Sequence, residues 1–360
     1  MNTNLKKILI IIIIILIAAL IAFLIYNFFI KKPSGEEGIG PGELPEGEGG
    51  EFEPGQEEEG EITPSPELKI KAISIERVLT PTLNDDKTKI LYYGQADGNI
   101  WQSAFDGSSL TRVSSASLDN LAKVIWSPDK NKIIRIYQDI EGNISKYFYN
   151  HEANQSFPLS NDIQEIAWSS DSNKITYQYT NETTNKNTIT VADPDGNNWK
   201  NILDVRMKNL NLGWVNSEIA FYEKPSGIAQ GSLFLLNPST GNLSKVLSNI
   251  YGMAVKWSPQ GDKILYSKTN NKGKNLALYL ALKDGTGETS ANIFSLVEKC
   301  VWSADNRSLF CAIPKDISQA DVLPDDFYKG IFVSDDEFWK INLETGERIP
   351  LLEPWEKGEE

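Results

Sequence analysis

The chain has 360 residues, a net charge of −14 and a single histidine, His151. Twelve of its glutamates lie between residues 33 and 67, so the rest of the chain is only mildly acidic, and it offers no basic stripe for a nucleic acid. A zinc site or a Ser-His-Asp triad would depend on His151 alone, which we interpret as a solvent-facing turn residue.

The N-terminal region is predicted to anchor the chain in a membrane. Residues 8–30 are almost wholly apolar, and a helix of that length would cross a hydrocarbon core of about 30 Å. A cleavable signal peptide is the alternative, but its apolar core is normally about 7–15 residues long and ends at small residues. This run is longer and ends at Lys31 and Lys32, which favours a transmembrane signal-anchor helix.

Charge does not decide the orientation of this helix, because two lysines flank each of its ends. The tail formed by residues 1–7 is short, and the two cysteines of the chain are compatible with a disulfide in an oxidising compartment. We therefore expect the tail in the cytoplasm and the C-terminal domain outside, as a single-pass protein of the cytoplasmic membrane.

Residues 31–67 are predicted to form a disordered linker rich in Glu, Gly and Pro. Its carboxylates repel one another, and residues 33–67 contain no Lys or Arg to compensate them. We interpret the linker as a spacer between the membrane and the domain, with a specific acidic recognition segment as the alternative. Residues 356–360 are expected to form a short tail.

Between these segments, tryptophan recurs at intervals of 42 to 46 residues, and four of the five occurrences begin the phrase Trp-Ser. The five positions are Trp126, Trp168, Trp214, Trp257 and Trp302. A repeat of this length made of short strands is typical of one propeller blade per unit. We interpret each indole as core packing at the seam between blades, since a tryptophan buries roughly 200 Å².

Each repeat contains four predicted strands, for example 123–127, 132–137, 144–149 and 156–159. The strands are short apolar or alternating runs separated by Asn, Asp, Gly and Pro, which is the pattern of successive hairpins.

A sixth unit precedes the first tryptophan. An apolar residue follows most of the tryptophans by seven positions, and the pair Leu83 and Ile90 has the same offset. Trp214 departs from it, because Ile219 follows after five residues. The sequence therefore predicts an all-β, six-bladed propeller of four-stranded antiparallel blades over residues 68–355, without deciding whether 68–72 or 348–352 closes the ring.

The phrase Trp-Ser-Pro-Asp/Gln, followed by Lys-Ile and with Asp-Gly turns, resembles the WD-repeat-like propellers of the TolB and prolyl-oligopeptidase type. The resemblance covers about residues 70–353 and implies six blades and protein binding in the cell envelope. Two features depart from it: no α/β domain precedes the propeller, and no Gly-x-Ser-x-Gly nucleophile elbow occurs. No functional residue is therefore carried over.

Two features of the sixth unit are candidate sites. Cys300 and Cys311 would face each other if Trp302 faces Leu309, so a disulfide or a pair of buried thiols is expected there. The connection between the second and third strands is unusually long, and long loops on a rigid scaffold often bind partners. We consider it either a partner-binding loop or a packed plug, and its candidate binding residues are Asp321, Asp325, Asp326, Phe327 and Tyr328.

The expected function is that of a membrane-anchored, monomeric propeller outside the cytoplasmic membrane that acts as a scaffold in the cell envelope and binds a protein or a cell-wall polymer. We predict no enzymatic activity, no catalytic residue, no cofactor and no metal ion. The alternative is an extracytoplasmic hydrolase or lyase with carboxylates at the propeller axis and a metal ion. A sensor that signals inward is a third possibility, although a seven-residue tail offers little to signal with.

Overall fold

A computed structural model of the protein describes residues 72–114, 118–181 and 183–352. These residues form six four-stranded antiparallel sheets, which are the blades of a propeller, so the predicted six-bladed architecture is confirmed. The predicted tails, the anchor 8–30 and the linker 31–67 lie outside the described residues. Within those residues, no helix has the length and apolar character needed to cross a membrane.

The strands follow one another along the chain, four to a blade. Blade 1 contains β1 (Val78–Leu83), β2 (Ile90–Gly94), β3 (Ile100–Ser103) and β4 (Thr111–Arg112), and blade 2 contains β5 (Leu121–Trp126), β6 (Lys132–Gln138), β7 (Ile144–Asn150) and β8 (Gln155–Leu159). Blade 3 contains β9 (Ile163–Trp168), β10 (Ile175–Asn181), β11 (Lys186–Ala192) and β12 (Lys200–Val205), and blade 4 contains β13 (Leu210–Val215), β14 (Glu218–Glu223), β15 (Gln230–Leu236) and β16 (Leu243–Tyr251). Blade 5 contains β17 (Val255–Trp257), β18 (Lys263–Lys268), β19 (Ala277–Leu282) and β20 (Thr289–Ile293), and blade 6 contains β21 (Cys300–Trp302), β22 (Ser308–Pro314), β23 (Asp336–Asn342) and β24 (Arg348–Leu352).

The strand register confirms the repeat at all six positions. In each blade the repeated tryptophan, or Leu83 in blade 1, pairs across the first hairpin with the apolar residue that the sequence pattern assigned to it. The pairs are Leu83 with Ile90, Trp126 with Ile133, Trp168 with Ile175, Trp214 with Ile219, Trp257 with Ile264 and Trp302 with Leu309.

The recurring Trp-Ser phrase has a local cause in the first turn of each blade. In blade 2 the Ser127 hydroxyl donates to Asp129 Oδ1 at 2.5 Å and accepts from the Lys132 amide at 3.0 Å. The turn also needs a left-handed residue, Lys130, with φ of 61°. The same two contacts recur at Ser169 and Ser303. Ser258 accepts from the Lys263 amide in the same way, but its hydroxyl donates to Asp262. The serine therefore closes the turn and fixes the register of the hairpin.

The indoles also join neighbouring blades. Trp126 Nε1 donates to the Thr80 carbonyl of blade 1 at 3.0 Å, and Trp168 Nε1 donates to the Ile125 carbonyl of blade 2 at 3.2 Å. Trp168 is buried, whereas the other four tryptophans are half-buried against the apolar clusters. These two ring nitrogens therefore find partners in inner-strand carbonyls of the preceding blade, whereas the buried Nε1 of Trp302 has no partner among the described residues.

The hydrophobic cores lie between blades rather than within them. One cluster joins Ile134 and Phe148 of blade 2 to Ile166 and Ile175 of blade 3. Burying one such side chain stabilises the fold by about 1.5–3 kcal/mol. Because each sheet contributes both faces to such cores, a blade has little stability of its own.

Among the described residues, every sheet contains four consecutive strands, so the first and last blades exchange no strand. β24 pairs with β23 and forms the outer edge of blade 6. The predicted alternative of a closing strand at 68–72 falls almost wholly outside the described residues.

The long connection of blade 6 folds as an insertion, residues 315–335, with one short helix, α1 (Asp325–Tyr328). Its apolar side chains pack against blade 5 and the segment that leads from blade 5 to blade 6. The buried members of this cluster are Leu276, Leu296, Ala320, Leu323 and Phe332.

Candidate functional site

Charged and phenolic side chains from blades 2 to 6 meet near the starts of the first strands. In blade 4 they come from the end of β14, the second strand, and one side chain comes from the insertion of blade 6. We call them the axial cluster. Its members are Lys123, Glu165, Tyr222, Lys224, Lys256, Glu298 and Tyr328. Tyr222 of blade 4 interacts electrostatically both with Glu165 of blade 3 and with Glu298 of blade 6. A side chain can approach blades on both sides of the ring only close to the axis, so the cluster lies at the mouth of the central channel.

Glu165 is the more enclosed carboxylate of the axial cluster. Its side chain is 34% exposed, and Lys123 Nζ is 3.9 Å from Glu165 Oε1. Burial raises the pKa of Glu165, and the charges of Lys123 and Lys224 lower it only in part. Glu165 therefore holds its proton to a higher pH than an exposed glutamate does.

Tyr222 stands between the two carboxylates. Its hydroxyl donates to the Val255 carbonyl at 3.4 Å and accepts from the Val255 amide at 3.3 Å, which fixes the ring at the start of β17. Burial raises the pKa of Tyr222, and the negative charges of Glu298 and Glu165 raise it further. The phenol is therefore a proton donor throughout the neutral range.

Lys256 is the most enclosed cation of the axial cluster. Its ammonium group donates to the Cys300 carbonyl of the next blade. Burial lowers the pKa of Lys256, and the charge of Glu298 opposes this effect. A lysine in such a position gives up its proton more readily than an exposed lysine and can serve as a base.

The insertion adds Tyr328 to the cluster. Its hydroxyl donates to Glu298 Oε1, and burial, followed by the charge of Glu298, raises the pKa of Tyr328. The position of α1 is fixed by Asp325, whose carboxylate accepts from Ser226 Oγ at 3.0 Å and from the Gly227 amide at 2.7 Å. The insertion therefore reaches across to blade 4 and places a phenol over the axial mouth.

The other predicted residues of the insertion have different positions. Asp326 is buried and accepts from the Asp321 and Val322 amides at 2.7 and 2.9 Å, so it organises the turn before α1. Phe327 packs against the apolar cluster of the insertion. The side chain of Asp321 is 97% exposed. Of the five candidates, the structure brings Tyr328 to the axial cluster and gives Asp325 the role of holding it there.

The two cysteines lie at the base of the same region. Cys300 pairs with Cys311 across β21 and β22, and their sulfur atoms are bonded at 2.10 Å. Both residues are buried. Since the Cys300 carbonyl accepts from Lys256, the bonded hairpin also positions this cation.

His151 differs from its interpretation as a solvent-facing turn residue. It is half-buried, its ring stacks on Trp126 at a centroid distance of 6.1 Å, and it meets Tyr149 edge-on at 5.0 Å. Burial lowers the pKa of His151, with a further contribution from Arg135. It follows β7 directly and lies beside the end of β5.

The axial cluster does not provide the ligands of a metal site. Among the described residues, no three His, Cys, Asp or Glu side chains lie together as possible ligands. The two carboxylates of the cluster are instead interleaved with three lysines, whose positive charge opposes a divalent cation. The predicted alternative, in which carboxylates at the axis hold a metal ion, therefore does not fit the side chains of the axial cluster.

Comparison with solved structures finds the same fold in proteins of several activities. An oligogalacturonate lyase in complex with manganese is 13% identical, with 76% of each chain covered and a TM-score of 0.57. The oligogalacturonate lyase from Vibrio parahaemolyticus is 11% identical, with 78% of this chain and 80% of that chain covered and a TM-score of 0.55. TolB from Acinetobacter baumannii is 12% identical, with 76% and 63% covered and a TM-score of 0.49. No protein-family model and no curated protein sequence matches the chain.

These similarities confirm the six-bladed propeller fold that the resemblance implied. They also correct the expected function. The prediction that the chain is not an enzyme is wrong, because oligogalacturonate lyases share its architecture. At this level of identity the substrate of a similar structure is not transferred by the fold, and the chemistry must come from the site itself.

The sequence interpretation missed most of the axial cluster, because its members come from different repeats. One feature of the sequence could have indicated the cluster. Lys123 and Glu165 are charged residues in largely apolar strands, and each lies three residues before a repeated tryptophan. The remaining members occupy positions that are not equivalent between repeats, so no pattern in a single sequence groups them.

Proposed function

We propose that this protein is a membrane-anchored lyase of the cell envelope that cleaves an anionic, uronate-containing polymer at the axial cluster. The observation that carries the proposal is the meeting of side chains from five blades, in which one half-buried phenol interacts with two carboxylates and a half-buried lysine adjoins one of them. Neighbouring groups with shifted proton affinities are typical of acid–base catalysis.

The proposed reaction is a β-elimination. Lys256, as a neutral amine, accepts the proton from the carbon next to the uronate carboxylate. The electron pair of that C–H bond forms a C=C bond, and the C–O bond to the leaving sugar breaks. Glu165, whose pKa is raised by burial, acts in its protonated form and donates that proton to the leaving oxygen. The Tyr222 hydroxyl turns from the Val255 carbonyl to hydrogen-bond the developing negative charge.

Two exposed lysines beside Glu165 support the choice of an anionic polymer as the proposed substrate. Lys123 keeps 54% of its side-chain exposure, and Lys224 is also exposed, at the end of β14. Both lie beside Glu165 and can pair with carboxylates on sugar units next to the one that reacts. The lyases of the same fold that act on oligogalacturonate support this choice of substrate class.

We further propose that residues 8–30 anchor the enzyme and that the acidic linker 31–67 holds the propeller away from the membrane. The length and apolar character of the first segment and the uncompensated glutamates of the second support this arrangement. Protease treatment of intact spheroplasts is expected to remove the propeller. A propeller that stays uncut until the cells are lysed contradicts the proposed orientation.

The activity is tested with the full chain in detergent on polygalacturonate, alginate and heparosan, with dextran as a neutral control. We expect a rise in the ultraviolet absorbance of the unsaturated product with at least one anionic polymer. New reducing ends without that absorbance would identify a hydrolase and contradict the elimination. No release from any of the three anionic polymers contradicts the proposed function.

A further inference from the structure

A second surface, separate from the axial cluster, crosses the face of blade 3 that is turned towards blade 2. It is a cavity of about 430 Å³ between the end of β8 and the sheet of blade 3, and we call it the blade 2–3 groove. Its lining includes Tyr177, Tyr179, Thr190, Trp199 and Asn201. Its volume lies within the range of about 300–1,000 Å³ that small-ligand sites occupy.

Tyr177 points to a ligand. The residue is 5% exposed and lines the groove, yet its hydroxyl has no hydrogen-bond partner among the described residues. Burial raises the pKa of Tyr177 to about 12, so the hydroxyl keeps its proton. The hydroxyl is not among the buried side-chain atoms that lack a partner, so it opens into the groove. There it can donate to water or to a bound molecule.

The surrounding groups are hydroxyls, an amide and an indole. Thr190 is 1% exposed, and its hydroxyl donates to Asn201 Oδ1 at 2.8 Å, which fixes the amide of Asn201 beside the groove. Trp199 is 63% exposed although it is the largest side chain there. A flat aromatic face next to fixed hydroxyl and amide groups matches a pyranose ring, which has an apolar C–H face and equatorial hydroxyls.

The charges of the groove select a neutral ligand. Its lining contains no Lys or Arg, and its one carboxylate, Asp195, already accepts from the backbone and side-chain amides of Asn197 at 3.0 and 2.9 Å. Two other grooves of the described residues are charged, one by the ion pair of Lys283 and Glu218 and one by Arg135. Among these three, only the blade 2–3 groove lacks a cation.

The floor of the groove offers no free strand edge to an extended peptide. Tyr177 and Thr190 stand on β10 and β11, and both strands are paired along each side. The outer strands β8 and β12 only border the groove, with Pro158 and Asn201.

We propose that the blade 2–3 groove is a binding site for a neutral oligosaccharide, in which Trp199 stacks on a sugar ring and the Tyr177 hydroxyl and Asn201 amide bind its hydroxyls. This site does not depend on the proposed lyase activity. It would hold a neutral part of an envelope glycan while the axial cluster acts on an anionic part, or it would act without any cleavage.

The test uses the full chain and four neutral probes: cellotetraose, chitotetraose, maltotetraose and mannotetraose. Binding is followed by calorimetry and by tryptophan fluorescence. We expect at least one probe to bind, with Trp199→Ala weakening it at least about tenfold and Tyr177→Phe about two- to tenfold. The matched control is Phe105→Ala, which removes an exposed aromatic from the equivalent turn of blade 1 and is expected to change nothing.

No binding of any of the four probes to the wild-type chain overturns the proposal. So does binding that Trp199→Ala and Tyr177→Phe leave unchanged, because the sugar then sits elsewhere. Circular dichroism of each variant separates loss of fold from loss of binding. The result is distinguishable from that of the lyase assay, because the binding measurement needs no turnover.

Discussion

Glu165 and Tyr177 stand on the first and second strands of one blade, but they belong to surfaces of opposite character. The axial cluster collects charged and phenolic groups from five blades, and burial shifts the proton affinities of Glu165, Tyr222 and Lys256. The blade 2–3 groove uses one sheet and one neighbouring strand, and its lining side chains are almost all neutral. We therefore propose catalysis at the axis, where the blades converge, and ligand recognition between two blades.

The largest effect that separates the two surfaces is expected from variants of the axial cluster. Glu165→Gln and Lys256→Met should each lower the rate of elimination by about 10²–10⁴-fold, because each removes one partner of the proton transfer. Neither variant should change oligosaccharide binding in the groove. Initial rates and calorimetry on the same preparations measure both, and the matched control is Glu152→Gln, in an exposed turn of blade 2. Full activity of Glu165→Gln would place the chemistry elsewhere.

The disulfide is expected to support the axial side of the molecule only. Opening the bond between Cys300 and Cys311, which closes a loop of 11 residues, should lower the free energy of unfolding by about 3 kcal/mol. Because Cys300 also accepts from Lys256, the elimination rate should fall as well, while the groove of blades 2 and 3 keeps its affinity.

Denaturant unfolding with and without reductant measures this loss, and mass spectrometry of non-reduced peptides checks that the bond is present. The paired variant of both cysteines to alanine controls for side effects of the reductant. Free thiols in the untreated protein, or equal stability with and without reductant, would show that the bond contributes nothing.

A smaller effect is expected at the base of the insertion. Asp325→Ala removes the acceptor of Ser226 and of the Gly227 amide, so the free energy of unfolding should fall by about 1–3 kcal/mol. Asp321→Ala, in the same insertion but 97% exposed, should stay within about 0.5 kcal/mol of the wild type. Chemical denaturation compares the two variants. Equal losses would mean that α1 is not held by Asp325.

The smallest effect concerns pH. Because the folded-state pKa of Glu165 is raised, its contribution to stability is fully present below the unfolded value of about 4.3 and is lost as the pH rises through the folded value. Glu165→Gln removes this loss, so the variant should be slightly more stable than the wild type at pH 7 although it is less active. Melting temperatures measured across the acidic range test the sign, and a variant that is less stable at pH 7 contradicts it.

The fold was predictable because each repeat encodes its own hairpins. The Ser127 hydroxyl closes the first turn of blade 2 through contacts within six residues, so the motif that sets the register is visible in the sequence. The axial cluster was not predictable from the sequence. Glu165 and Glu298 are 133 positions apart, and both interact with Tyr222 only because the blades form a ring. The insertion was recognised by its length. The orientation of its side chains was not predictable, because it depends on the hydrogen bonds that Ser226 and Gly227 of blade 4 donate to Asp325.

The most direct test of the central claim is mass spectrometry of the fragments that the wild-type chain and Glu165→Gln release from polygalacturonate, alginate and heparosan. If the axial cluster is a lyase site, the wild type yields fragments that lack one water relative to hydrolytic products, and the variant yields almost none. Absence of such fragments with the wild type, or the same fragments in the same amount with both proteins, would contradict the account.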